Sequence, residues 1–326
     1  TTLEAENAFA LSLIEVGSIE PALVAREKAN VLKQGGLLEV IDTDASLESI
    51  GGLDALKGWL LQRREAFTGR ARAYGLPVPK GILVLGVPGT GKSLTAKATA
   101  SVLGIPLLKL DAGRLFGSLV GQSEANLRSV IQTAEAIAPC VLWIDEIEKG
   151  FGGAGGSGGS TDGGTSARVF GTMLNWLQDK AAPVFVVATA NDVSRLPPEM
   201  LRKGRWDELW FVDLPDARER AAIWDLVIAK YGRDQTDFDT VLLSRASELH
   251  TGAEIEAAFV EALHHAFAED REPGELDLGE ALNESVPLAV TMAESIEHLR
   301  HWTKGRARHA SADGKQGRGG RKVNLG

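Results

Sequence analysis

The sequence is nearly without cysteine. One thiol, Cys140, occurs among 326 residues, so a disulfide framework and a cysteine-based zinc cluster are excluded and a reducing compartment is expected. Cys140 lies in the apolar run Cys140-Val141-Leu142-Trp143-Ile144 and reads as a small core residue. Long hydrophobic stretches are missing as well. No run approaches the length of a membrane span, and no charged-then-apolar leader opens the chain, which leads to the expectation of a soluble, cytoplasmic protein with no membrane partner. Positive charge is scarce outside one end. The formal net charge of −9 divides into +7 from Arg300 onward and −16 before it. An acidic body argues against a nucleic-acid footprint there. With 44% hydrophobic residues the chain can bury a core, and its length suits two domains or one with a large appendage.

What is present centres on Gly86-Val87-Pro88-Gly89-Thr90-Gly91-Lys92-Ser93. It follows Ile82-Leu83-Val84-Leu85, which reads as a buried strand, and precedes Leu94–Ala100, which reads as a helix start. Strand, glycine loop, helix is the order of a phosphate loop. Glycines let successive backbone N–H groups turn inward toward phosphate oxygens, and the helix N-terminus adds free donors and its positive dipole end. Pro88, Gly89, Thr90, Gly91, Lys92, Ser93 and Leu94 are the candidate nucleotide-binding residues. Lys92 is placed to reach the outer phosphates and Ser93 to hold Mg²⁺.

Two strand ends complete the chemistry. The run ending Trp143-Ile144-Asp145-Glu146 sets adjacent carboxylates at the carboxyl edge of a parallel sheet, where the phosphate loop also opens. Asp145 is placed to hold the metal's water shell and Glu146 to polarise an attacking water. Val184–Thr189 reads as another strand, followed by Asn191, whose amide is placed for the γ-phosphate or that water. Gly51-Gly52 offers a turn that can lie flat against a purine.

Five apolar runs separated by helices predict a parallel sheet covered on both faces, and beyond Pro215 only helical patterns occur. The expected organisation is a helical segment over 1–45, an α/β core over 46–213, an all-helical lid over 214–303 and a disordered basic tail over 304–326. Ser123 is expected to cap a helix from Glu124 to Ala138. Residues 150–164 hold nine glycines and are expected to form a mobile loop facing a partner or channel. Thr1, Glu4, Glu6, Ala8, Phe9 and Leu13 recur at an offset of 250 as Thr251, Glu254, Glu256, Ala258, Phe259 and Leu263. That recurrence suggests that residues 1–17 are the end of an earlier lid and that the natural protein extends N-terminal to Thr1. His264 and His265 lack metalloprotease spacing and read as ordinary helix residues.

The ordered set of phosphate loop, Asp145-Glu146, Asn191 and the pair Arg202 and Arg205, with a helical lid behind it, resembles the AAA ATPases over about residues 46–270. Ile50-Gly51-Gly52, Leu201-Arg202-Lys203-Gly204-Arg205-Trp206-Asp207 and Thr251-Gly252-Ala253-Glu254-Ile255 are similar to motifs of the branch holding the p97-like and FtsH-like enzymes. Leu119-Val120-Gly121-Gln122-Ser123-Glu124, Trp143–Lys149 and Leu299-Arg300-His301-Trp302 resemble the conserved chloroplast and cyanobacterial reading-frame ATPases. The resemblance implies a P-loop NTPase core with a five-stranded parallel sheet, ATP with Mg²⁺, and a ring, commonly of six subunits, acting on a protein partner. It also implies that Arg205, with Arg202 as companion, reaches the γ-phosphate of the next subunit. Two departures stand out. Leu119 replaces the channel-loop aromatic of unfolding members, which favours a nucleotide-controlled scaffold as the second reading, and Lys203-Gly204-Arg205-Trp206 stands where Pro-Gly-Arg-Phe is usual.

Overall fold

The computed structural model describes residues 37–43, 46–112, 115, 122–151, 163–202 and 204–311, with Ala10, Leu13 and Ile14. The rest of the N-terminal recurrence, Leu119, most of the glycine-rich loop, Lys203 and residues 312–326 of the tail lie outside the described residues. By their contacts the described residues form two compact units. One draws on residues up to Ser49, Trp59–Gly86 and Gly91–Leu209, the other on Ile50–Gly58, Val87–Thr90 and Trp210 onward.

In the first unit, strands β1 (Leu38–Ile41), β2 (Gly81–Gly86), β3 (Leu107–Leu110), β4 (Cys140–Ile144) and β5 (Val184–Ala190) stand in the order β1-β3-β4-β5-β2. Helix α1 (Asp54–Leu61), of which residues 54–58 belong to the second unit, and helix α2 (Gly69–Ala73) precede β2, and α3 (Lys92–Leu103) follows it. Helix α4 (Gln122–Ile137) leads into β4 and α5 (Gly163–Asp179) into β5. The βαβ connections make β2, β3, β4 and β5 mutually parallel where they pair, as crossover helices require. Every residue of β2, β4 and β5 is buried, so these strands read as unbroken apolar runs rather than alternating ones. Gly81 lies where β5 passes so close that a Cβ would sit 2.0 Å from the Val186 carbonyl oxygen.

Two expectations are corrected here. Leu38–Ile41, assigned to a helical segment, is a strand antiparallel to β3, with Leu38 opposite Leu110 and Ile41 opposite Leu107. The sheet is therefore mixed, because a short apolar stretch gains more by closing the exposed edge of β3 than by extending a helix. Helix α4 starts at Gln122, which puts Ser123 inside its first turn, buried, and not at the cap.

In the second unit, β6 (Glu208–Val212), which begins in the first, pairs with β7 (Arg308–His309) in parallel. Helices α6 (Ala217–Lys230), α7 (Thr240–Ala246), α8 (Gly252–Ala268), α9 (Glu275–Glu284), α10 (Leu288–Thr291) and α11 (Ala293–Thr303) follow one another. Phe259 sits at the centre of their core, fully buried, with Trp224, Tyr231 and Phe238 at ring distances of 6.5, 5.7 and 6.1 Å. Capping boxes start two of these helices: Asp216 with Glu219 on α6 and Thr251 with Glu254 on α8, each satisfying backbone donors that would otherwise be orphaned.

The tail expected to be disordered from Lys304 is ordered through Ser311. The Arg308 guanidinium stacks 4.8 Å over the Trp210 ring, His309 meets Phe211 edge-on, and Ala310 is fully buried. The Ala310 N–H donates to Phe211 O (2.9 Å), and its carbonyl accepts the Leu56 N–H (3.0 Å). Charge composition suggested a solvated tail, whereas cation–π stacking and two backbone bonds hold these residues down.

Candidate nucleotide site

Helix α3 begins at Lys92 with Gly91 as its N-cap, in the left-handed region at φ 91°. No side chain caps that end, which leaves the helix start as an anion-binding terminus in the sense of a phosphate loop. Lys92 is 7% exposed and its ammonium donates to the Gly86 carbonyl (2.9 Å). Burial pulls its pKa down to about 8 against the opposing pull of Glu148, Asp145 and Glu146. Ser93 and Leu94 are exposed in the same first turn.

Asp145 and Glu146 leave the end of β4 and are fixed by β5. The Thr189 hydroxyl donates to Asp145 Oδ1 (2.7 Å) and accepts the Glu146 N–H (3.0 Å). Glu146 adopts φ 47°, a left-handed conformation that a non-glycine residue holds only where its surroundings enforce it. Its carboxylate accepts from Asn191 Nδ2 (3.0 Å) and pairs with Lys149. The other oxygen of Asp145 lies 3.9 Å from the Lys109 ammonium, which also sits 4.5 Å over the Trp143 ring. Lys92, Asp145, Glu146 and Asn191 thus belong to one connected group in the first unit. A hydroxyl in the first turn of α3 and a carboxylate held at a strand end are hard oxygen donors, the set that suits Mg²⁺. Among the described residues no cluster of three or more His, Cys, Asp or Glu is arranged for another metal, and His265 serves an i,i+4 contact with Glu261 at 3.3 Å.

Three members of this group were not singled out from the sequence. Thr189 is 1% exposed in an otherwise apolar strand, and a hydroxyl there must find a partner. That was the available signal. Glu148 is 3% exposed; one oxygen accepts the Asn191 N–H (2.9 Å), and the other has no hydrogen-bond partner among the described residues. Burial pushes its pKa up. Lys109 gave no sign, because its relation to Asp145 exists only through the pairing of β3 with β4.

Arg202 and Arg205 do not join this group. Arg205 donates through Nη1 to the Glu199 carbonyl (2.9 Å), and Arg202 is exposed with no side-chain partner among the described residues.

The second unit holds the rest of the loop and the Gly51-Gly52 turn. Thr90 Oγ1 donates to Val87 O (2.7 Å), and the Gly89 carbonyl accepts the Ala253 N–H at the start of α8 (3.1 Å). Gly89 stands at φ 79°, and a Cβ there would lie 2.8 Å from Thr251 Oγ1. Pro88 is half-buried beside it. A cleft is lined by Leu53, Pro215 and Ile223, by Gly51 and Gly252, and by Thr90. Gly51 reaches it directly, whereas Gly52 shapes the turn: at φ 79° it packs so closely that a Cβ would fall 2.2 Å from Glu219 Oε1. That same oxygen accepts the Leu53 N–H (3.0 Å) and the Ser311 hydroxyl (2.6 Å).

A glycine loop between a buried strand and a helix start, with paired acids ending the sheet's fourth strand and an Asn ending the fifth, defines a P-loop NTPase of the AAA type. Residues 82–214 match the family described as ATPase family associated with various cellular activities (AAA) and belong to it. Beyond that domain the chain is similar to the protein named "Uncharacterized AAA domain-containing protein ycf46" of Guillardia theta, 49% identical over 91% of this chain and 58% of that one. The protein of the same name from Pyropia yezoensis is 48% identical over 91% of this chain and 60% of its own length. The chain spans about three fifths of the length of these relatives. It is also 32% identical, over 78% of its length, to the Cell division cycle protein 48 homolog of Archaeoglobus fulgidus, covering 34% of that protein. Among the described residues no helix is long and apolar enough to cross a membrane.

Proposed function

We propose that the chain is a Mg²⁺-dependent ATPase that works as a cytoplasmic ring, commonly of six copies, and remodels a protein partner. The observation that carries this reading is the group around Lys92, in which Asp145 and Glu146 are held by Thr189 and Asn191. Gly91, Lys92, Ser93 and Leu94 would meet the phosphates from the first unit, and Pro88, Gly89 and Thr90 continue the same loop. Gly51, with Gly52 shaping its turn, would receive the base. Ser93 and Asp145 would hold Mg²⁺, which when bound neutralises charge on the phosphate oxygens. Glu146 orients the attacking water and takes its proton, and Asn191 keeps that carboxylate in place. Arg205, with Arg202 beside it, acts on the neighbouring copy, where a guanidinium stabilises charge on the transferring phosphoryl group by on the order of 10³–10⁵ in rate. Supporting that division, apart from the Arg205 bond to Glu199 neither arginine has a side-chain partner among the described residues.

Phosphate release tests it. Glu146→Gln is expected to lower turnover by about 10²-fold or more, and wild-type specific activity is expected to rise with protein concentration. A Glu146→Gln protein as fast as wild type, or full turnover by an isolated single copy with Arg205→Ala, removes the reading. Leu119, where unfolding members carry an aromatic, favours a second reading of a nucleotide-controlled scaffold that does not thread its partner. Leu119→Ala separates the two: it abolishes remodelling with ATPase retained in the first case and leaves partner release unaltered in the second.

A further inference from the structure

Lys80 stands just before β2, the strand that leads into the phosphate loop, and its side chain turns back to the other end of the first unit's sheet. Its ammonium donates to the Gly204 carbonyl (2.6 Å) and to the Gln178 carbonyl (2.9 Å) in the last turn of α5. Its backbone N–H and that of Gly81 both donate to Asp207 Oδ2, at 2.7 and 2.8 Å, and the Asp207 N–H donates to Gly81 O (2.8 Å). Four hydrogen bonds therefore clasp residues 204 and 207, which flank Arg205 and Trp206, and a fifth ties Lys80 to α5. Trp206 is 4% exposed with its indole N–H on Met200 O (2.9 Å), and Gly204 holds φ 94°. Gly204 is held through its carbonyl and Trp206 through its indole on either side of Arg205, whose guanidinium spends one donor on Glu199.

We propose that Lys80 is a positioning residue for Arg205, tethering the arginine turn to the base of the strand that opens into the phosphate loop. The inference rests on the reading of Arg205 given above. A lysine suits the place because its flexible stem carries three donors to a point, two of which meet carbonyls on separate elements, and its charge lies where a helix C-terminus favours a cation. The tether makes β2 a common frame for the loop that holds one copy's nucleotide and the arginine turn offered to the next. A guanidinium aimed from outside is sensitive to small displacements, since about 1 Å of misplacement can cost on the order of a hundredfold in rate.

The test is a double-mutant cycle on the full chain with Lys80→Met, Arg205→Ala and the pair, reading steady-state turnover and the affinity for a fluorescent ADP analogue. Lys80→Met is expected to lower kcat by on the order of tenfold or more, with ADP affinity within about twofold of wild type. In the pair, kcat is expected to equal that of Arg205→Ala alone, because a tether has no effect once its cargo is gone. Lys80→Arg, which keeps donors for both carbonyls, is expected to restore most of the loss. Should Lys80→Met not fold, Lys80→Gln, with a shorter reach and a single amide donor group, carries the same cycle. Losses that multiply in the pair, or a Lys80→Met or Lys80→Gln protein with unchanged kcat, overturn the tether while leaving Arg205 in its role. An Arg205→Ala protein with undiminished kcat overturns both.

Discussion

Replacing Thr189 by valine keeps the shape of the β5 side chain and removes its hydroxyl, which isolates what that oxygen does between Asp145 and Glu146. Two bonds are lost: the charge-assisted one from Thr189 to Asp145 Oδ1 at 2.7 Å and the one from the Glu146 N–H at 3.0 Å. A hydrogen bond to a charged group contributes about 1.5–3 kcal/mol, and a buried donor left unpaired costs about 1–3 kcal/mol. Because the Glu146 N–H can reach water in part, the combined loss is about 3 kcal/mol, which corresponds to a fall of roughly 6–12 °C in the melting midpoint of a unit of this size. Glu146 also holds φ 47°, and without the hydroxyl that accepts its N–H the residue relaxes toward an ordinary conformation. Turnover is therefore expected to fall by on the order of tenfold or more beyond any effect of stability. Thermal unfolding and phosphate release, measured on T189V and on T189S, report both. T189S keeps the hydroxyl and loses one buried methyl, which costs about 1 kcal/mol. A T189V protein with wild-type melting and wild-type turnover refutes the claim that this hydroxyl organises the paired acids.

Two further predictions concern stability. Asp277 accepts both Arg271 Nη groups (2.6 and 2.5 Å) and the Gly274 N–H (2.7 Å), and the Arg271 guanidinium foremost draws its pKa from 3.8 to about 2. A carboxyl lowered on folding contributes stability that is present above about 4 and lost as pH falls through about 2. Discounted for the solvent around Arg271, the contribution is about 1–2 kcal/mol. D277N is thus expected to unfold earlier in denaturant at pH 7, with the gap from wild type closing between pH 4 and 2; a gap independent of pH contradicts the assignment. Gly81→Ala places a methyl 2.0 Å from a backbone oxygen of β5, at φ 144°. It is expected to destabilise by about 3 kcal/mol or more, read by the denaturation midpoint, and a neutral result shows that β2 and β5 can part without loss.

The phosphate loop, the acids after β4 and the Asn after β5 were legible because each is written in consecutive residues. A glycine pattern between an apolar run and a helix start, or a carboxylate pair closing an apolar run, is local information, and the parallel order of the sheet follows from runs alternating with helices. The cluster of Lys92 with Asp145, Glu146 and Asn191 was foreseeable for the same reason, since neighbouring parallel strands deliver their ends to one edge. Tertiary structure alone decided the rest. Thr189 became the hinge of the paired acids, Lys109 came beside Asp145, and Lys80 reached across to Gly204, all through contacts whose partners lie 36 to 124 positions apart in the chain. Ala310 and Arg308 were drawn out of an apparently solvated tail by Phe211 and Trp210. Such pairings depend on which strands become neighbours and which side chains then need a donor, and no spacing along the chain records that.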